Sequence, residues 1–102
     1  MAMTINMNRD GADLTLTLEG RLDTTTAPQL ESELRPVLAD GVENLTVDLK
    51  ALDYVSSAGL RVLLSAQKIM NKQGEMTVRN VNDAVMEVFE VTGFVDLLNI
   101  EE

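Results

Sequence analysis

Two adjacent hydroxyls, Ser56 and Ser57, followed by Ala58 and Gly59, are the residues of this chain best placed to do chemistry. An apolar alternation, Leu45, Val47 and Leu49, precedes them and reads as a strand, and apolar residues at helical spacing follow them. The small residues therefore stand where a strand crosses into a helix. The first amides of a helix lack intrahelical partners, and the helix dipole adds partial positive charge there. A hydroxyl at that point can cap the helix, or it can take a phosphate that the helix end stabilises. In the first case one serine caps and the other fills a tight corner. In the second, phosphorylation adds about −1.5 to −2 charge, which the fold tolerates and a docked partner does not. Gly59 has two readings as well: loose packing in the first helical turn, or close approach by another backbone, such as a partner's.

A second polar group is Asp23 with Thr24, Thr25 and Thr26. If the sheet is parallel from the preceding strand onward, this loop and Ser57 share the carboxyl edge, where ligands of α/β sheets gather. The alternative is helix capping by Asp23 or a threonine. Most other chemistries are excluded by composition. The chain has no histidine and no cysteine, which removes Ser–His and Cys–His catalysis and the commonest metal ligands. Asp48 and Asp53 do not make an aspartyl-phosphate receiver, because no acidic pair follows the first strand and no lysine ends the fourth. There is no glycine-rich phosphate loop. Met70, Met76 and Met86 read as core filler. No cofactor and no metal are expected.

The 102 residues imply one domain, 1–102, long enough to bury a core without staples. The net charge of −9 argues against nucleic acid and anionic membranes. It suits a soluble protein with a basic partner. No apolar run approaches the ~20 residues of a membrane span. Met1-Ala2-Met3-Thr4-Ile5-Asn6 lacks the basic start and apolar block of a signal peptide, so a cytoplasmic location is expected.

The elements that position these residues follow from periodicity. Ile5 and Met7 alternate in a short strand over residues 4 to 8, and Asp10-Gly11 signals a hairpin. Leu14, Leu16 and Leu18 alternate with Thr15 and Thr17 in a second strand, antiparallel to the first. Thr26, with Gln29 three residues on and Pro28 between, reads as a capping box opening a helix with Leu30, Leu34, Val37 and Leu38 on its apolar stripe. Pro36 should bend that helix or end it early.

Leu45, Val47 and Leu49 form the third strand. The helix after the serines runs from about Ser57 to Lys72, with Leu60, Leu63, Leu64 and Met70 inside and Arg61, Ser65, Lys68 and Lys72 outside. Met76 and Val78 mark a fourth strand. Asn82 caps a third helix through Thr92, with Val85, Val88 and Phe89 inside. Phe94 to Ile100 is a short apolar tail, a last strand or a short helix. The order β-β-α-β-α-β-α implies parallel crossovers in one sheet. The strands alternate apolar with polar residues and are not continuously apolar, so the helices should lie mainly on one face. The fold class is α/β, with a mixed sheet of four to five strands.

At Ser56-Ser57-Ala58-Gly59-Leu60 the chain resembles the STAS-domain family, of the anti-sigma-factor-antagonist type. Supporting parts are Glu19-Gly20-Arg21-Leu22-Asp23, Val47-Asp48-Leu49, Tyr54 to Leu64 and Val91-Thr92-Gly93-Phe94. The resemblance implies a partner switch. The unmodified antagonist binds an anti-sigma factor that is also a serine kinase, which releases the sigma factor. Phosphorylation of one serine at the start of the second helix breaks the complex, and a serine phosphatase reverses it. The family pattern there is often Asp-Ser-Ser/Thr-Gly-Leu with the first serine modified, which places the phosphoacceptor at Ser57. Ser56 stands where the aspartate would be, and Ala58 where the second hydroxyl would be. Asp23, Thr24, Ser56, Gly59, Leu60 and Arg61 are then the expected partner contacts, and the protein is not an enzyme but a kinase and phosphatase substrate. The alternatives are a STAS scaffold or adaptor subunit that works without phosphorylation, a lipid-transport accessory subunit, and an enzyme or small-molecule binder.

Overall fold

In the computed structural model, which describes residues 3–101, the order is β1 (Thr4–Asp10), β2 (Asp13–Leu22), α1 (Ala27–Leu38), β3 (Asn44–Val55), α2 (Ser57–Gln73), β4 (Glu75–Arg79) and α3 (Asp83–Thr92). Of the N-terminal segment inspected for a leader, Met1 and Ala2 lie outside the described residues. The four strands lie side by side in chain order. β1 pairs antiparallel with β2, and β2–β3 and β3–β4 are parallel.

Register explains which side chains make the core. Met7, Leu16, Val47 and Val78 align across the sheet, as do Leu14, Leu45 and Met76. These rows form one apolar face, on which α2 packs across β3 and β4, α1 packs on α2, and α3 packs on β3. Leu30, Leu34, Leu63, Met70, Val85 and Phe89 of the helices join the same core. The opposite rows are polar: Asn8, Thr15, Thr46 and Thr77 in one, Asn6, Thr17, Asp48 and Arg79 in the next. The threonines stay half-buried on that face. The expected one-sided layering is what the alternation produces.

Several local expectations are corrected. The third strand does not end at Leu49 but runs to Val55. From Asp48 to Ala51 it takes three steps where β2 takes two, Thr17 to Glu19. From Leu52 to Tyr54 it takes two where β2 takes one, Gly20 to Arg21. Each is an extra residue in β3, a bulge that breaks the alternation. The buried positions therefore fall at 49, 52 and 55, a spacing that does not read as a strand.

The capping box at Thr26 does not form. Thr26 is the N-cap, but its side chain makes no cap bond, and the Gln29 amide donates to Glu33 instead. Pro36 does not end α1: it lies in the last turn, and the helix continues past it to Leu38. Leu64 is half-buried, and Val62 and Ala66 take its place in the core. Asn82 does cap α3, its Oδ1 accepting from the Val85 amide at 2.9 Å while its Nδ2 donates to the Leu52 carbonyl. The tail holds both anticipated forms in miniature: a 3-10 turn over Phe94–Asp96, then a parallel bridge from Ile100 to Val78.

Candidate functional site

The two serines are separated by the backbone, one residue apart. Ser56 is the N-cap of α2, with φ −96° and ψ 174°. That extended conformation turns its Oγ back to accept from the Gly59 amide at 3.3 Å. Its own amide donates to the Leu22 carbonyl at 2.8 Å, which ties the helix start to the end of β2. Ser57 is the first residue of α2. It is exposed, and its hydroxyl has no hydrogen-bond partner among the described residues. So Ser56 fills the capping role, and Ser57 presents a free hydroxyl at the positive end of a 17-residue helix.

Gly59 and Leu60 are placed differently from the surface contacts expected of them. Leu60 is 2% exposed and belongs to the core. Gly59 is buried in the first turn, and a Cβ there would lie 2.6 Å from Leu22 Cγ and 3.1 Å from the Leu22 carbonyl oxygen. The backbone that approaches Gly59 closely is that of this chain's own β2. Both residues hold Ser57 up to solvent; neither offers surface of its own.

Because β2 and β3 are parallel, the Asp23 loop and Ser57 do lie on one edge of the sheet, with Leu22 beside Val55. Asp23 Oδ1 accepts from the amides of Thr25 at 2.9 Å and Thr26 at 3.1 Å. The Thr26 hydroxyl accepts from the Asp23 amide and donates to the Arg21 carbonyl, both at 2.8 Å. The loop is thus closed on itself, with Thr26 buried and Thr24 pointing out. Thr24 and Arg61 meet across a groove of about 200 Å³ between the starts of α1 and α2, lined also by Pro28, Glu31, Ala58 and Val62. Asp23 and Ser56 support the edge, and Thr24, Thr25, Ser57 and Arg61 are exposed on it.

Arg21 and Tyr54 are parts of this edge that periodicity missed. They are paired in register, and the Arg21 guanidinium lies 4.2 Å from the centre of the Tyr54 ring. The signal was present only as an aromatic and a cation at the ends of two strands, and the bulge in β3 hid their pairing.

The Thr26 amide, then the Thr25 amide, holds the Asp23 carboxyl below its usual range, with smaller help from the Thr26 hydroxyl and Arg21. A depressed carboxylate contributes stability that is present above its unfolded value, 3.8, and is lost as pH falls through the folded value. Asp48 is depressed too: its partial burial opposes ionisation, but the Lys50 amide, Asn80 and Arg79 outweigh it. Asp23→Asn keeps an acceptor for both amides but not the charge. Acid titrations followed by circular dichroism should therefore show less stability lost below about pH 4 in the variant than in the parent chain.

Residues 5–99 match the family model described as "Mlab, STAS domain". The chain is 37% identical over 99 residues to BtrV, a candidate anti-sigma factor antagonist of Bordetella bronchiseptica, covering 96% of this chain and 85% of that one. It is 34% identical over 84 residues to the anti-sigma-B factor antagonist of Staphylococcus aureus, covering 81% and 78%. The crystal structure of an anti-sigma factor antagonist from Mycobacterium paratuberculosis superposes with a TM-score of 0.87 at 24% identity, over 96% of this chain and 84% of that one. A single family accounts for the mixed sheet, the helices on its apolar face and the serine at the crossing from β3 to α2: the chain belongs to the STAS-domain family, in its anti-sigma-factor-antagonist type.

Proposed function

We propose that the protein is an anti-sigma-factor antagonist whose unphosphorylated form binds an anti-sigma factor with serine kinase activity, releases a sigma factor, and is switched off by phosphorylation of Ser57. It acts as a binding module and a kinase substrate, and a serine phosphatase restores it. The names of the relatives support the partner class. The observation that carries the site is the division of labour between the serines: Ser56 Oγ is engaged by the Gly59 amide, and Ser57 is exposed and unengaged. A kinase needs a hydroxyl it can reach; Ser57 is exposed, whereas Ser56 is half-buried and would give up its cap to the Gly59 amide. Of the contacts expected from the resemblance, Thr24 and Arg61 remain as surface contacts beside Ser57. Asp23, Ser56, Gly59 and Leu60 shape that surface from behind.

The test is incubation with the anti-sigma factor kinase and ATP, followed by peptide mass spectrometry. One phosphate on Ser57 is expected, and Ser57→Ala should take up none. Phosphate on Ser56 alone would overturn the site, and no phosphate at all would favour a scaffold or adaptor role.

A further inference from the structure

The chain carries seventeen acidic residues and eight basic ones, yet none of the acids lies between Asp53 and Glu75. All of α2 falls in that interval, and it holds Arg61, Lys68 and Lys72. These are seven and eleven residues apart. At 3.6 residues per turn they align along one line of the helix, with Ser57 at its head and Ser65 between. All three cations are exposed. Arg9, Arg21, Arg35 and Arg79 each lie within 4.0 Å of a carboxylate. The other four, Arg61, Lys68 and Lys72 of α2 and Lys50 of β3, have no such partner among the described residues, and only the three of α2 share a line. Half-buried Leu64 and Ile69 stand on either side of the line.

We infer that this outer face of α2, from Ser57 to Lys72, is a docking surface for an acidic segment of the anti-sigma factor. The inference rests on the proposed function for the identity of the partner. The occupant is set by charge: on a chain of net −9, an unpaired cationic line flanked by apolar side chains is complementary to an acidic surface with apolar contacts of its own. The geometry also gives the switch a second lever. Arg61 is four residues from Ser57, one turn along the same face, so a phosphate on Ser57 faces it as an i, i+4 ion pair. The phosphate would neutralise the head of the cationic line and repel the acidic segment that occupied it.

The test is calorimetric titration of the full chain with its anti-sigma factor at low and moderate salt, using the parent protein, Lys68→Glu/Lys72→Glu and Ser57→Asp. Melting temperatures check folding, and Lys68→Ala/Lys72→Ala separates lost attraction from introduced repulsion. Expected results are affinity reduced at least about tenfold by the double reversal, a smaller loss with the alanines, and parent affinity falling as salt rises. Parent-like binding by the double reversal, with Ser57→Asp still impaired, would overturn the docking surface and leave the switch standing. Parent-like binding by Ser57→Asp, with the double reversal impaired, would support the surface and sink the phosphorylation switch. Sedimentation of the parent with phosphatidylglycerol vesicles, with no binding to the anti-sigma factor, would overturn the inference in favour of a lipid surface.

Discussion

Ser57→Asp should bind the anti-sigma factor roughly a hundredfold more weakly than the parent, while Ser57→Ala should bind within about threefold of it. The asymmetry follows from the position of the side chain. Ser57 Oγ supports nothing inside the fold, so its removal costs little on either side of the equilibrium. A carboxylate at the first position of α2 is favoured by the helix dipole, so the variant folds. In a docked complex the same charge must be desolvated or faced by like charge, at several kcal/mol, and each 1.4 kcal/mol is a factor of ten in affinity. Ser56→Ala provides the contrast. It loses the cap to the Gly59 amide, which should lower stability by about 0.5–2 kcal/mol and leave phosphorylation at Ser57 intact. The measurement is a titration of each variant by calorimetry, beside its thermal melt. Equal affinity of the alanine and aspartate variants at Ser57 would refute the switch.

Gly74→Ala should be strongly destabilising, though it lies at the far end of α2 from the site. A Cβ at Gly74 would sit 1.8 Å from the Glu43 carbonyl oxygen and 2.6 Å from its carbon. Those atoms are backbone and cannot rotate away as a side chain could. They are also in use: the Glu75 amide donates to the same Glu43 oxygen at 2.9 Å, where β4 begins beside β3. The methyl therefore forces apart the end of α2 and the start of a parallel strand pair. Overpacking of this kind costs typically 1–3 kcal/mol or more. At roughly 4–8 °C per kcal/mol for a domain near this size, the melting temperature should fall by about 5–20 °C. Gly93→Ala is the control. There φ is +81° but no atom lies within 4 Å of the added carbon, so only the left-handed backbone is penalised, by about 1 kcal/mol. A melt of Gly74→Ala within 2–3 °C of the parent, about half a kcal/mol on the same scale, would show that the helix end moves freely against Glu43.

These effects separate what was readable along the chain from what was not. Leu14-Thr15-Leu16-Thr17-Leu18 and Leu45-Thr46-Val47 state their own strand period and, by their threonines, which face is open. Asp10-Gly11, Gln73-Gly74 and Asn82 mark element ends by conformational preferences that act within a few residues. The shared edge of Asp23 and Ser57 was legible on the condition that β2 and β3 run parallel, which they do; the strand order β1-β2-β3-β4 was not, because the alternation within a strand does not name its neighbours.

By itself the sequence determined the α/β layering, the strand-to-helix crossing at the serines and the cations on the outer face of α2, since each is written at a period of two or 3.6 residues. Tertiary structure alone decided which serine is free, because two identical hydroxyls differ only in the backbone angles the Leu22 carbonyl imposes on Ser56. It also decided that Gly59 packs against Leu22 of β2 and Leu60 enters the core, that β3 continues through two bulges to Val55, that Arg21 meets Tyr54 and that Thr24 and Arg61 line one groove. Each of those depends on residues more than thirty positions apart being brought together by the sheet, and no local propensity encodes such a distance.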